Sequence, residues 1–509
     1  MTNNTQQARR RFLKGLGVAG AVAAAPMAAP ALASSMRSDG VKWDKTVDIA
    51  IIGSGFAGLA AGIEAKRQGA NNVTIFEKMP VFGGNSAING GLYAAPATPM
   101  QKEKGVQDSV ERMVADQMKA GRGIADEGLL RHVAEHAMEG LQLAIDAGAE
   151  FHPYLQQLGG HSVPRTYQTS VSCGAGITQP LLKQARKEGV ETINRIKFDG
   201  FVLDKDGKVE GIKLKRGYYF GEEDSGTEFF VRATRGVIMA TGGFAQNVNL
   251  RMAQDPTLTA EVGCTNAKGA TGEGMFEMFR LGAIPVHMAH IQSGPWASPD
   301  EGGFGYVSNY SIFNFPHSIA INRMTGERFM NEIADRKTRA DAELNCRDAE
   351  GKPLPPIMVT SWEHAKQHPN AKKVLKYGVG WKFDTLEALA KHFDVPLKPL
   401  QAQIEQYNQY VKSGVDEQFG KNMGKAKGKY IQAPFSVVRL WPKVHYCQGG
   451  VQITKEAKVL DSFTGKPIPN LFAAGEVTGG VHGVSRLGSC SIPECVVMGM
   501  TASRSIMQA

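Results

Sequence analysis

Apolar and polar positions fall along this chain in blocks, and each block predicts an element. Val47–Ile52 is apolar at every position but Asp48, as a strand buried on both faces requires. It runs through a glycine-rich turn into an alanine-rich helix and a second apolar run that stops at Glu77, a β-α-β unit of about thirty residues. Asp126–Ala147 repeats at the helical period, with Leu129, Leu130, Val133, Leu141 and Ile145 able to share a face. Lys197–Lys215 and Thr227–Ala240 read as strand-rich, the first turning at Asp204-Lys205-Asp206-Gly207. Val237–Ala240 then enters a second glycine turn, Thr241-Gly242-Gly243-Phe244. From His287 to Lys443 the pattern changes. Glycine turns thin out, proline is frequent, and charged helices are predicted at Leu386–His392 and Leu400–Lys412. Val444–Ala509 returns to the first style. At 509 residues the chain is too long for one simple core. The class expected is α/β: a discontinuous Rossmann-like domain, residues 45–286 and 444–509, with an inserted α+β capping domain, residues 287–443.

The N-terminus stands apart. Arg9-Arg10-Arg11-Phe12-Leu13-Lys14-Gly15 precedes an apolar stretch to Ala29, and Ala31-x-Ala33 supplies a small-residue cleavage site. Residues 1–33 are expected to be a signal peptide, and the twin arginine resembles the Tat type, which points to the periplasm. The apolar run is short and broken by Pro26 and Pro30, so no transmembrane span is expected in the mature chain. Removing Arg9, Arg10, Arg11 and Lys14 takes the formal charge from +9 to about +5. No dense basic run remains, and nucleic acid is not an expected partner. The six cysteines form neither C-x-x-C-H nor an iron–sulfur spacing, so no haem, cluster or other metal site is expected in this chain.

Gly53-x-Gly55-x-x-Gly58 lies where the first strand meets the helix, and suits a tight turn, approach to a pyrophosphate and close helix packing. Glu77 ends the second strand, where an acid would bind a ribose hydroxyl. These residues do not separate FAD from NAD. Further motifs do: Gly83-Gly84-Asn85-Ser86 with Asn89-Gly90-Gly91, Ala240–Phe244, Gly269–Gly274, and Leu471–Gly488. The last holds five glycines around Glu476, His482 and Arg486. In this order the motifs resemble the fumarate reductase and succinate dehydrogenase flavoprotein family, in its soluble flavocytochrome c-like branch without the haem domain. The likeness runs over roughly residues 45 to 505.

The resemblance implies FAD. Respiratory members bond it covalently through a histidine near the second loop; Asn85-Ser86-Ala87-Ile88 has none, so noncovalent FAD is implied. The positions it assigns to FAD are Gly53, Gly55, Phe56, Ala57, Gly58, Glu77 and Lys78, then Gly84, Asn85, Ser86, Asn89, Gly90 and Gly91. Ala240, Thr241, Gly242, Gly475, Glu476, Ser491 and Ile492 complete the set. Glu327–Arg336 resembles the segment whose last arginine protonates the substrate, which gives Arg336. His445–Gly450 resembles His-x-x-x-Gly-Gly, which gives His445, and Ser485–Gly488 resembles the carboxylate clamp, which gives Arg486. Gly294, Trp296 and Tyr310 join His445 and Arg486 as the expected substrate residues.

Two departures shape the expectation. Gln292-Ser293-Gly294-Pro295-Trp296 stands where fumarate-reducing members carry a His-Pro pair, with Gly294 in place of the imidazole. That loss argues against a dicarboxylate and is expected to open space beside Trp296, Tyr310, Phe313 and Phe315. Relatives also place a Glu and an Arg for proton supply before the catalytic arginine, whereas Tyr306–Pro316 offers only Tyr306 and Tyr310. The function expected is an exported reductase of the double bond of an α,β-unsaturated carboxylic acid other than fumarate, such as an aryl or alkyl acrylate. Its electrons would come from a separate cytochrome c or a membrane quinol-linked donor. A 3-oxosteroid-type dehydrogenase using Tyr310, or a non-catalytic flavin electron carrier, are the other readings.

Overall fold

The computed structural model describes residues 36–508, so the expected signal peptide lies outside the described residues. The apolar run at Val47 is strand β1 (Lys45–Ile52), followed by helix α1 (Phe56–Arg67) and strand β2 (Val73–Phe76). β1 lies inside a nine-stranded sheet, parallel to β2 on one side and to β3 (Thr227–Met239) on the other. Flanked by strands and covered on both faces, its Ile49, Ala50 and Ile51 are fully buried, which is why the run does not alternate. The predicted hairpin forms from Ile196–Leu203 and Val209–Arg216 and pairs antiparallel with the first half of β3. The second half of β3 pairs parallel with Pro467–Ala473, so the C-terminal segment rejoins the same sheet.

The largest core cluster draws on Val47–Ala283 and Val444–Ile506. Two others lie between Trp296 and Leu440. One of these packs the helices Leu386–Phe393 and Leu397–Ser413 against a four-stranded antiparallel sheet of Ile319–Ile321, Ile357–Ser361, Phe435–Arg439 and Trp381–Phe383. The mix of a parallel sheet with helices and a second antiparallel unit is the α/β architecture expected. Strand β4 (Ile291–Gly294) marks the seam, joined later by helix α2 (Arg336–Leu344) and strand β5 (Lys443–Cys447). β4 and β5 pair antiparallel, with Gln292 opposite Tyr446 and Gly294 opposite Lys443. The last helix, α3 (Ser491–Gln508), packs on α1 so closely that a Cβ at Gly499 would lie 2.3 Å from the Ala57 carbonyl oxygen. No helix among the described residues is long and apolar enough to cross a membrane.

Candidate active site

The site begins where β1, β2 and β3 end. Gly53 takes φ +108°, and a Cβ there would sit 2.2 Å from the Ala240 carbonyl oxygen. Only glycine lets the two strand ends come this close. Over them opens a cleft. Gly53, Gly55, Phe56, Ala57, Glu77, Lys78, Gly84, Asn85, Ser86, Ala240, Thr241, Gly242, Gly475 and Glu476 all line it, at the positions implied for FAD. Glu77 is held from both sides: Oε2 accepts from the Ser54 amide at 3.1 Å and Oε1 from the Met79 amide at 2.8 Å. Lys78 donates to the Gly269 carbonyl at 2.9 Å and pairs with Glu273 at 3.0 Å, which ties the second strand end to the Gly269–Gly274 loop.

Six positions implied for FAD do not line the cleft. Gly58 serves packing, since a Cβ would lie 1.9 Å from the Gly53 carbonyl oxygen. Gly91 is wedged against the Cys173 carbonyl and the Thr169 hydroxyl, Gly90 faces Asn309, and Ile492 is buried in the main core. Asn89 and Ser491 border the adjoining chamber instead. The Asn89 amide is spent on the carbonyls of Asn85 and Ser86 and on the Gly91 amide, closing the short helix Gly84–Ile88. Sequence reading missed Ser54, Met79, Ala267 and Cys495, which lack a motif of their own.

Glu476 and Cys495 border both the cleft and a second chamber, where His445, Tyr446 and Arg486 gather. The β4–β5 pairing makes this meeting possible. Gln292 donates to the Ser485 hydroxyl and the Arg486 carbonyl, both at 3.0 Å, and accepts from Arg336 Nη1 at 3.3 Å. It thereby links the two expected arginines, a role the sequence alone did not give it. Trp296 links the third group: its ring lies 4.3 Å from the Arg336 guanidinium and meets the His445 ring edge-on at 5.0 Å. Arg486 rests on Tyr446 at 4.3 Å and gives one bond, to the Leu487 carbonyl at 2.9 Å.

The electrostatics are one-sided. Neither Arg336 nor Arg486 has a carboxylate partner among the described residues, and Arg486 Nε has no partner at all. Arg336 also opens α2, where the helix dipole disfavours a cation. Burial, then Arg486 and Arg339, push its guanidinium well below the ordinary arginine range. Burial and the cations Arg336 and Arg486 hold His445 and His482 well below the ordinary histidine range, so both rings are neutral. His445 Nδ1 lies 2.7 Å from the Thr265 hydroxyl, leaving Nε2 for a ligand. Buried cations without an anion are costly unless a ligand supplies one.

Two substrate expectations need correction. Gly294 opens no space, because the Trp296 ring folds over it: a Cβ at Gly294 would stand 2.9 Å from that ring. Tyr310 does not line either chamber. It is fully buried with its hydroxyl 2.6 Å from that of Ser436, and burial pushes its pKa up to about 12.

A stability prediction arises here. Burial pushes Glu476 up to about 7 and Glu494 up to about 8, from an ordinary 4.5. Between 4.5 and those values the unfolded chain has lost protons that the native chain keeps, so these groups lower stability as pH rises. Glu494→Gln removes the larger share. The melting temperature of the variant relative to wild type is expected to climb from about pH 5 to about pH 8; parallel curves would count against it.

The FAD binding domain family model matches residues 48–492. The acrylate reductase flavoprotein subunit of Shewanella woodyi is 75% identical over 509 residues, covering 100% of both chains. Urocanate reductase of Eggerthella lenta is 33% identical over 468 residues, 90% of this chain and 74% of that protein. The open conformation of a flavocytochrome c3 fumarate reductase is similar in structure, with a TM-score of 0.72 and 30% identity over 92% of this chain and 79% of that one. With the cleft fitted to a dinucleotide and the family matched over most of its length, the chain belongs to the FAD binding domain family, among the fumarate reductase-type flavoproteins.

Proposed function

We propose that this chain is an exported FAD-dependent reductase of the carbon–carbon double bond of a small α,β-unsaturated monocarboxylate, and that acrylate fits its site best. The observation that carries this reading is a pair of arginines with no carboxylate in ion-pair reach among the described residues: Arg486 lines the chamber beside the flavin cleft, and Arg336, bordering the cavity next to it, is joined to Arg486 through Gln292. Arg486 and His445 grip the substrate carboxylate and stabilise the charge that develops towards it. FAD, when bound and reduced, supplies the hydride that reaches the β-carbon. Arg336, aimed by Gln292 and Trp296, gives the proton to the α-carbon.

Trp296 sets the size limit. It fills the place beside Gly294, so a second carboxylate finds no room there. The 75% identical relative is an acrylate reductase subunit, which supports a substrate of this size. A viologen-coupled assay over a panel of enoates tests the reading. Turnover is expected with acrylate, and kcat/KM for fumarate at least about 100-fold lower; equal or faster fumarate reduction would overturn it. Trp296→Ala is expected to admit β-alkyl and aryl acrylates that wild type rejects, and an unchanged panel would refute the role of the indole. The steroid-dehydrogenase reading loses its residue, because the Tyr310 hydroxyl meets Ser436 and not the chamber.

Export by the Tat route to the periplasm belongs to the same proposal, and so does electron supply by a separate cytochrome c. The relative's designation as a subunit supports a partner of some kind. Cell fractionation and a membrane pull-down test both: cytoplasmic protein, or capture of no haem protein, would count against them.

A further inference from the structure

Arg336 must recover a proton after each turnover, and the stretch Tyr306–Pro316 does not supply it. Ile312 and Phe315 line the cavity behind Arg336, and neither carries a proton. The same cavity is bordered by Arg339 and Glu332. Along α2, Arg336, Arg339 and Glu343 are spaced by three and four residues and so share one face. That face is buried at Arg339 and Glu343, while Lys337 and Asp341 pair with each other on the solvent side.

Arg339 is paired only in part, and Glu343 not at all. The Arg339 guanidinium lies 4.8 Å from the Phe315 ring and donates to the Glu332 carbonyl at 3.1 Å, but its Nε has no partner. Neither carboxyl oxygen of Glu343 has one either. A structural role alone would pair them, since an unpaired buried charge is costly. Glu332 makes the contrast: Arg328 binds it at 2.7 Å and Lys421 at 3.0 Å, and these cations hold it below the ordinary carboxylate range. Glu332 is thus fixed as an anion. Burial raises Glu343 well above that range, with Arg339 opposing, and lowers Arg339 to about 10, so Glu343 holds a proton and Arg339 can pass one on. Beyond Glu343 the helix ends at Leu344 and the chain is exposed at Asn345 and Arg347.

We propose that Arg339 and Glu343 form the proton route that restores Arg336, an assignment resting on Arg336 being the acid of the reaction proposed above. Arg336 loses an N–H proton as the α-carbon–hydrogen bond forms. The Arg339 guanidinium then gives a proton to neutral Arg336 across the cavity both border. The Glu343 carboxylic acid returns one to Arg339, and its carboxylate takes one from water. One proton enters per turnover, and no oxidant or reductant is needed. Arg339 and Glu343 are positioning residues that act through Arg336.

The test uses the FAD-loaded full chain as wild type, Glu343→Gln, Glu343→Asp, Arg339→Met and Arg336→Lys, with acrylate and reduced viologen. Glu343→Gln and Arg339→Met are each expected to lower kcat about 10- to 100-fold. KM for acrylate and the rate of flavin reduction by the dye should change less than about twofold, and the solvent deuterium isotope effect on kcat should rise. Glu343→Asp should recover most of the rate. Infrared spectra should show a protonated carboxylic acid band in wild type that Glu343→Gln lacks, and that variant should melt no lower than wild type. Wild-type kcat and isotope effect in either Glu343→Gln or Arg339→Met overturns the route. An inactive Arg336→Lys alongside leaves the acid reading standing, whereas an active Arg336→Lys sinks that reading itself.

Discussion

Arg336→Lys is expected to lower kcat by about 10³-fold while the protein keeps its FAD, as loss of a positioned general acid does. A lysine preserves the charge and removes the geometry. The guanidinium lies over the Trp296 ring at 4.3 Å while its Nη1 reaches Gln292, and a compact ammonium on a flexible stem cannot do both. Arg336→Met sharpens the test. It deletes an uncompensated cation, so the variant without substrate is expected to unfold at a higher temperature than wild type while having no turnover. Stopped assays for propionate, flavin absorbance and a melting curve check this. Near-normal turnover in Arg336→Lys, or a lower melting temperature in Arg336→Met, would show that this residue is structural.

The second large effect is at the other end of the cleft. Gly53→Ala places a Cβ at φ +108°, 2.2 Å from the Ala240 carbonyl oxygen and 2.8 Å from its carbon. Both neighbours are backbone, so β1 and β3 must part at the end that cradles the dinucleotide. Strain of this kind costs about 1–3 kcal/mol even before the clash, so FAD affinity is expected to fall at least about 100-fold. Flavin content after purification and titration of the apoprotein with FAD measure it. Gly69→Ala is the control: it also has positive φ (+91°), but nothing stands within 4 Å of its Cβ and it lies outside the cleft, so only the backbone strain should be felt. Full FAD occupancy in Gly53→Ala would contradict the role given to the turn.

The first β-α-β unit was legible because buried parallel strands write unbroken apolar runs and the dinucleotide turn writes spaced glycines. Gly53 and Glu77 could thus be placed along the cleft from the chain alone, whereas Glu476 was placed there through the resemblance. The gathering of Arg336, His445 and Arg486 was legible only through resemblance, since they come from three segments that the β4–β5 pairing brings into reach. What the sequence hid depends on side-chain direction. A glycine at 294 suggests room, yet the indole two residues on folds back over it. Tyr310 stands in an apolar helix beside the capping domain's second core, and its hydroxyl turns to Ser436. Arg339 and Glu343 escaped notice for the opposite reason. The segment Arg336–Leu344 is so charged that it reads as a solvated helix, although one face is buried.

The central claim is that this site reduces a monocarboxylate with Arg336 as acid, and single-turnover reoxidation tests it most directly. Protein with FAD reduced anaerobically is mixed rapidly with acrylate or with fumarate, in wild type and Arg336→Lys, and flavin absorbance is followed. Rapid, saturable reoxidation by acrylate in wild type alone, with fumarate slower by at least about 100-fold, is the predicted result. Fumarate reoxidising the flavin as fast as acrylate, or Arg336→Lys matching wild type, would contradict it.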